Sequence, residues 1–390
     1  MPSAARDALR SAGIGLAAVC LVALPFTLEV RIGSAVRPLT DAWRSEPILP
    51  RRSTLLGLSF RPPQVEALGL PPRPTLLALL AYPFQLVRLG AYWNRVQPTP
   101  GTFETGELDW QIEAAERAGK QIILCVGALK TFGYPEYFVP SHRIARPLPE
   151  GSLVSPLTHP SLLSAAAEFV SRVVDRYKEH PGIVAWQVEH EAVDPLGLEH
   201  SWRLSASFVE REVGAVRQAD PSRPILLNGF LPTSSPGSLV QWWQTRDQGD
   251  SLTVAQRLAD VVGVDYYPRY ALASLDARSL YFDGSRCLWT GRRVKALLEW
   301  ARWHGRRLMV SEGQSEPWEA VTVPPNPAGR VMSSCPPEQM IRNYNSWMRW
   351  SKEIAPLYAY LFWGAEYWLL REASGDPSYL RAFARVLDES

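Results

Sequence analysis

Short apolar runs alternate with longer amphipathic stretches along most of the chain. From Leu55 onward the runs are LLGLSF (55–60), FQLVRLGAYW (84–93), QIILCVG (121–127), GIVAWQVEHE (182–191), PILLNGF (224–230), DVVGVDYYP (260–268), RLMVSE (307–312) and LYAYLFWGAEYW (357–368). Their β-branched and aromatic content, and their brevity, predict strands rather than helices. The stretches between them end where helices end. LDWQIEAAERAGK has Asp109 near its start and Gly119 as terminator, SLLSAAAEFVSRVVDRYKEHPG stops at Pro181-Gly182, and RRVKALLEWARWHG stops at Gly305. Near-continuous apolar strands separated by helices imply a parallel sheet covered on both faces. Eight such units predict an α/β fold, a (β/α)8 barrel over residues 54–390. A doubly wound sheet is the competitor, but no Gly-x-Gly-x-x-Gly turn follows the first run.

The beginning of the chain has a different pattern. Two arginines in MPSAARDALR precede an almost uncharged run from Ser11 to Thr27. That run is at the short edge for a membrane span and slightly long for a signal segment. No small-x-small cleavage site follows it, and Pro25 argues against a buried helix. Residues 1–30 are therefore expected as an N-terminal membrane anchor, with a cleaved signal as the alternative. The Arg- and Pro-rich residues 31–53 are expected as a tether. Both readings place the catalytic domain outside the cytoplasm, membrane-anchored or secreted.

Composition narrows the function classes. The net charge is +2 with no basic block, which leaves no electrostatic footprint for nucleic acid. Charged residues make up 21% of the chain, so extensive disorder is not expected. Four cysteines show no zinc spacing, and no cofactor motif stands out. Fifteen tryptophans are mostly core material, but a few near strand ends would suit a sugar, whose C–H face packs on a flat ring.

In a (β/α)8 barrel, function sits at the C-terminal ends of the strands. Read in order, those ends supply Arg61, then Arg88 with Trp93 and Asn94, then Lys130, then Glu189-His190-Glu191, Asn228, Tyr266-Tyr267, Glu312, and Trp363 with Glu366. Acidic residues ending the fourth and seventh runs face one another across the barrel mouth. Two such carboxyl groups are what cleavage of a glycosidic bond needs: one protonates the leaving oxygen, and the other attacks the anomeric carbon or activates water. Glu189 and Glu191 share strand parity, so spacing alone leaves both open.

Several stretches together resemble one clan of proteins. VRLGAYWNRVQPTPGTFETGELDWQIEAAERAGKQIILCVG, WQVEHE, VSEGQSEPW and YLFWGAEYW resemble the retaining β-glycosidase barrels with catalytic glutamates on strands four and seven. They are closest in look to the catalytic domains of glycoside hydrolase family 42 β-galactosidases. The resemblance covers roughly residues 55–370. It implies hydrolysis of β-glycosidic bonds in an oligosaccharide or glycoside with retention, β-galactosidase-like in the nearest case. Glu191 would be the acid/base and Glu312 the nucleophile. Arg88 and Tyr267 would support the nucleophile, Trp363 would floor the sugar site, and Trp93 and Trp318 would line its wall. Glu316 is expected to be structural.

One position departs from that pattern. His190 stands where the family has the asparagine that contacts the sugar 2-hydroxyl, and the adjacent carboxylate is expected to favour its charged form. Two other functions compete: a carbohydrate-binding barrel without catalysis, and a metal-dependent hydrolase. The second is disfavoured because His180, His190 and His200 lie ten residues apart with no HExxH arrangement, so no metal is expected.

Overall fold

The computed structural model describes residues 29–390 apart from 35, 39, 134–135, 145, 196–199, 276–277, 286–287, 318–329 and 333. Eight strands close into a parallel barrel: β1 (Leu55–Ser59), β2 (Leu86–Gly90), β3 (Gln121–Cys125), β4 (Ile183–Gln187), β5 (Ile225–Phe230), β6 (Val261–Tyr266), β7 (Arg307–Gln314) and β8 (Ala359–Trp363). Each strand pairs with its sequence neighbours, and β8 returns to β1 through Ala359 beside Leu55. Helices follow in turn: α1 (Pro72–Leu80), α2 (Gly106–Arg117), α3 (Pro160–Tyr177), α4 (Ala206–Ala219), α5 (Ser251–Leu258), α6 (Leu288–Trp303), α7 (Pro337–Ile354) and α8 (Ser378–Glu389). The expected (β/α)8 architecture is present.

Strand alternation divides the core in two. Leu86, Ile123, Ala185, Leu226, Val261, Met309, Ala359 and Leu361 plug the barrel interior. Their strand neighbours, such as Val87, Leu124, Trp186 and Val262, face outward into the helix layer. Above that plug the inward positions turn polar: Arg88, Gln187, Asn228, Asp265 and Glu312 are all buried. An apolar lower barrel thus carries a polar upper one.

The expectation of a membrane-anchored protein is withdrawn. Among the described residues no helix is long and apolar enough to cross a membrane. The run 11–27 that prompted it lies outside the described residues. The segment immediately after that run is engaged with the barrel. Val30–Ser34 pairs antiparallel with Arg278–Asp283, which in turn pairs with Arg269–Leu275, and Val36–Pro38 pairs with Arg330–Met332. Just before them, Glu29 accepts hydrogen bonds from the Ser235 N–H and hydroxyl, both at 2.9 Å. The partners lie in the connections β5–α5, β6–α6 and β7–α7. Part of the stretch expected as a tether is therefore paired to the face where the strands end.

Candidate active site

Two backbone features aim the acidic side chains. The chain leaving β4 turns through left-handed conformations at Glu189 (φ 56°) and Glu191 (φ 44°), which non-glycine residues adopt only under constraint. The Glu189 carboxylate supplies that constraint by accepting the N–H of Leu129, at 2.9 Å, and the N–H of Lys130. Gly127 allows the approach, because a Cβ there would lie 2.0 Å from the Glu189 nitrogen. The second feature is a pair of register shifts. β6 slips against β7 between Val264 and Asp265, and β7 slips against β8 between Val310 and Gly313, so that Asp265 pairs with Glu312 and skips Ser311. Bulges of this kind re-aim side chains at barrel rims.

Glu312 is the best-held carboxyl group in the site. Its Oε1 takes a 2.5 Å bond from Arg88 Nη2, and its Oε2 takes a 2.6 Å bond from the Tyr267 hydroxyl. Arg88 is itself fixed through Nε to the Ser59 hydroxyl at 2.9 Å. His190 Nε2 lies 2.9 Å from the same Glu312 oxygen, off the line of a directional hydrogen bond. Burial pushes Glu312 up, but His190, Arg88 and Tyr267 outweigh it and hold the carboxyl down to about 2. Tyr266, by contrast, turns outward, with its ring edge-on to Trp347 and Trp350.

Glu191 experiences the opposite field. Burial, then the charges of Asp265 and Glu312, push it well above the ordinary carboxylate range, and the Lys130 ammonium offsets this only in part. The Lys130 amine donates to the carbonyl oxygens of Glu191 at 3.0 Å and Asp194 at 3.4 Å. Glu189 does not join this group; its side chain hydrogen-bonds Glu212 and the backbone after β3. The two candidates that spacing left open therefore separate: Glu191 shares the charge field of Glu312, and Glu189 braces the turn.

The remaining expected residues divide. Trp363 packs at the mouth with Cys125, Phe132 and Tyr267, the Arg61 guanidinium 4.1 Å above its ring centre. Trp93 is not part of the site. It is fully buried against Phe169 of α3, ring centres 5.4 Å apart, with its indole N–H on Gln97. Trp318 lies outside the described residues. Glu316 is held with Glu366 by Arg61, at 3.1 and 2.7 Å, as a structural network. The expected charge on His190 is corrected: burial, helped by Arg88 and Lys130, lowers its pKa despite the neighbouring Glu312.

Asp265 was not recognised as a site residue in the sequence. It accepts from Asn228 Nδ2 at 2.5 Å and from the Ser311 hydroxyl at 2.7 Å, and it lies 3.7 Å from His190 Nε2. The signal was available. Asp265 is an acid closing an apolar strand, as in the fourth run, and it shares parity with Tyr267. His190, Asp265 and Glu312 offer ligand atoms within 4.8 Å of one another, close enough for a metal ion. An ion there would have to displace or oppose Arg88, already on the Glu312 oxygen at 2.5 Å. The donor set suits proton handling better.

Comparison with known proteins is consistent with this geometry. The glycoside hydrolase family 42 profile, described as beta-galactosidase, matches residues 81–208. Over 116 residues the chain is 29% identical to beta-galactosidase BgaH of Haloferax lucentense, covering 27% of this chain and 17% of that protein. Beta-galactosidase BgaB of a Geobacillus species is 28% identical over 115 residues, with 27% and 17% covered. The chain thus spans about a sixth of the length of these curated relatives (17% in each case). In fold it is similar to GH5_18 from Streptomyces cattleya in complex with GlcNAc, with a TM-score of 0.55, 16% identity, and 87% of this chain and 82% of that one covered. It is also similar to a GH10 endoxylanase retrieved from a sugarcane soil metagenome, with a TM-score of 0.51, 14% identity, and 90% and 99% covered. These structures share the barrel fold.

Proposed function

We propose that the protein is a retaining glycoside hydrolase acting on β-glycosides. The observation that carries the proposal is the opposite treatment of two carboxyl groups at one barrel mouth. Arg88 and Tyr267 hold Glu312 low, whereas burial and then the charges of Asp265 and Glu312 itself raise Glu191 well above the ordinary carboxylate range. Two carboxyls pushed apart in this way define an acid and a nucleophile. In the first step the Glu312 carboxylate attacks the anomeric carbon while the Glu191 proton passes to the glycosidic oxygen, whose bond to that carbon breaks. In the second, Glu191 as carboxylate takes a proton from water. The water oxygen bonds to the anomeric carbon, Glu312 is released, and retention results from two inversions. Tyr267 and Arg88 orient the attacking oxygen, Trp363 offers a face to the sugar ring, and His190 reaches the 2-hydroxyl side.

A β-galactoside is the first substrate to test, because the family profile and the partial relatives carry that activity in their names. The experiment is a panel of chromogenic β-glycosides with wild type, Glu312→Ala and Glu191→Ala, and with the product anomer followed by NMR. Both variants are expected to lose about 10³-fold or more in kcat/KM while remaining folded. Added azide should rescue Glu312→Ala to an α-glycosyl azide and Glu191→Ala to a β-glycosyl azide. An inverted product from the wild type, or a folded Glu312→Ala with undiminished turnover, would exclude the mechanism.

A further inference from the structure

Asp265 occupies the centre of the site yet has no part in the two-carboxylate scheme. It is fully buried at the end of β6, paired in register with Glu312. One of its oxygens accepts from Asn228 and the other from Ser311, at 2.5 and 2.7 Å. Its carboxyl also hydrogen-bonds the Glu191 side chain. Glu191 is tied differently. The contacts reaching it from Asn228 (3.4 Å) and Lys130 (3.0 Å) end on its backbone N–H and carbonyl, leaving the carboxyl to Asp265.

Two carboxyls in hydrogen-bond contact away from water cannot both be ionised, so they hold a proton between them. Where that proton resides is set by the donors. Hydrogen bonds to the charged form favour it, and Asp265 has two such donors on its side chain. We propose that Asp265 is a positioning residue which, as the ionised member of a one-proton pair with Glu191, keeps the proton on Glu191 and aims it at the leaving oxygen. This deepens the glycosidase reading and rests on it. Asn228 builds the pair into the frame, since its amide nitrogen binds Asp265 while its oxygen accepts the Glu191 N–H.

The other charged groups facing the pair set its range. Lys130 and Arg88 favour ionisation, whereas Glu312 and Asp194 oppose it. His190, 3.7 Å from Asp265, and the Tyr267 hydroxyl complete the surround. Burial with Asp250 nearby puts Asp194 at about 7, so its own titration lies close to the working range. The direction on Glu191 is well above the ordinary carboxylate value, with Asp265 the largest charge contribution after burial.

The test is the pH dependence of kcat/KM for Asp265→Asn on two aryl β-glycosides, one with a good leaving group and one with a poor one. Removing the Asp265 charge should move the basic limb toward acid by about one unit or more, since Glu191 would lose its proton earlier. The poor leaving group needs the acid and should lose about ten-fold more rate than the good one. Should Asp265→Asn fail to fold, Ser311→Ala removes one donor from the Asp265 charge; the proton then spends more time on Asp265, and the plateau rate should fall more for the poor leaving group, with no acid shift of the limb. An unmoved limb in a folded Asp265→Asn, or equal losses on both substrates in either variant, overturns the proposal. Carboxyl ¹³C NMR of glutamate-labelled protein, assigned with Glu191→Gln, follows the Glu191 titration directly. An unchanged Glu191 midpoint in Asp265→Asn also overturns it. If the wild type hydrolyses no glycoside, the functional reading fails, and the NMR titration still decides the pair.

Discussion

His190 carries a consequence that depends on its charge. As an imidazolium beside Glu312 it would depress that carboxyl further and make Glu191 easier to ionise. Burial lowers its pKa, with Arg88 and Lys130 adding to this against Glu312, so it stands as a neutral ring at neutral pH. Replacement by asparagine then removes a ring, not a charge. His190→Asn is expected to change KM for sugars bearing a 2-hydroxyl while leaving both limbs of the pH–rate profile in place. A shift of either limb by about one unit would show that the ring is charged in the native protein. Which glutamate of the fourth run shares the field of Glu312 was only half legible at this scale. Alternation cannot separate Glu189 from Glu191, because the strand ends at Gln187 and two left-handed residues then set the directions. Trp93 failed for a related reason: Trp93–Val96 is already helical, so the residue no longer follows the parity of β2.

Strands and helices were legible wherever one hydrophobic period held, and they blurred where an apolar run crossed two elements. LYAYLFWGAEYW reads as one run, but β8 stops at Trp363 and a helix, Ala365–Ala373, begins after Gly364. Gly364 makes that corner at φ 116°, where a Cβ would meet the Glu316 Cβ at 2.3 Å. The added strands Arg269–Leu275 and Arg278–Asp283 went unrecognised because they lie inside a connection, where no alternation rule assigns them to the barrel. Arg61 joins these ends. It bonds Glu366 at the head of the last-named helix and Glu316 after β7, all three side chains being at most 5% exposed. Removing one member of a buried ion network leaves the others without compensation. Arg61→Met is therefore expected to lower stability by about 3–5 kcal/mol, read from the denaturant midpoint. A loss below about 1 kcal/mol would mean that water or protons replace the guanidinium freely.

Across the whole molecule, a barrel plugged with apolar residues below carries an acid-rich upper layer, and that layer ties stability to pH. Glu189 and Glu212 form a second buried carboxyl pair behind the β4 turn, with Glu212 also accepting the Ala128 N–H at 3.3 Å. Burial comes first in raising both, and the neighbouring Glu189 carboxyl raises Glu212 further. In the unfolded chain a glutamate titrates at about 4.3. Between that value and the raised folded midpoints the native state binds more protons than the unfolded state, so stability declines as pH rises. The Glu191–Asp265 pair, which shares one proton, acts in the same sense. Glu312 acts in the opposite sense, but its contribution is lost only as pH falls toward about 2. Glu212→Gln keeps an oxygen for Ala128 and gains an N–H for Glu189, while removing one of the groups that titrates. The fall in melting temperature from mildly acid to mildly alkaline pH should become shallower in this variant without vanishing. An unchanged slope would mean that the Glu189–Glu212 pair is already ionised in the native protein, and that its proton does not hold the β4 turn beneath Glu191.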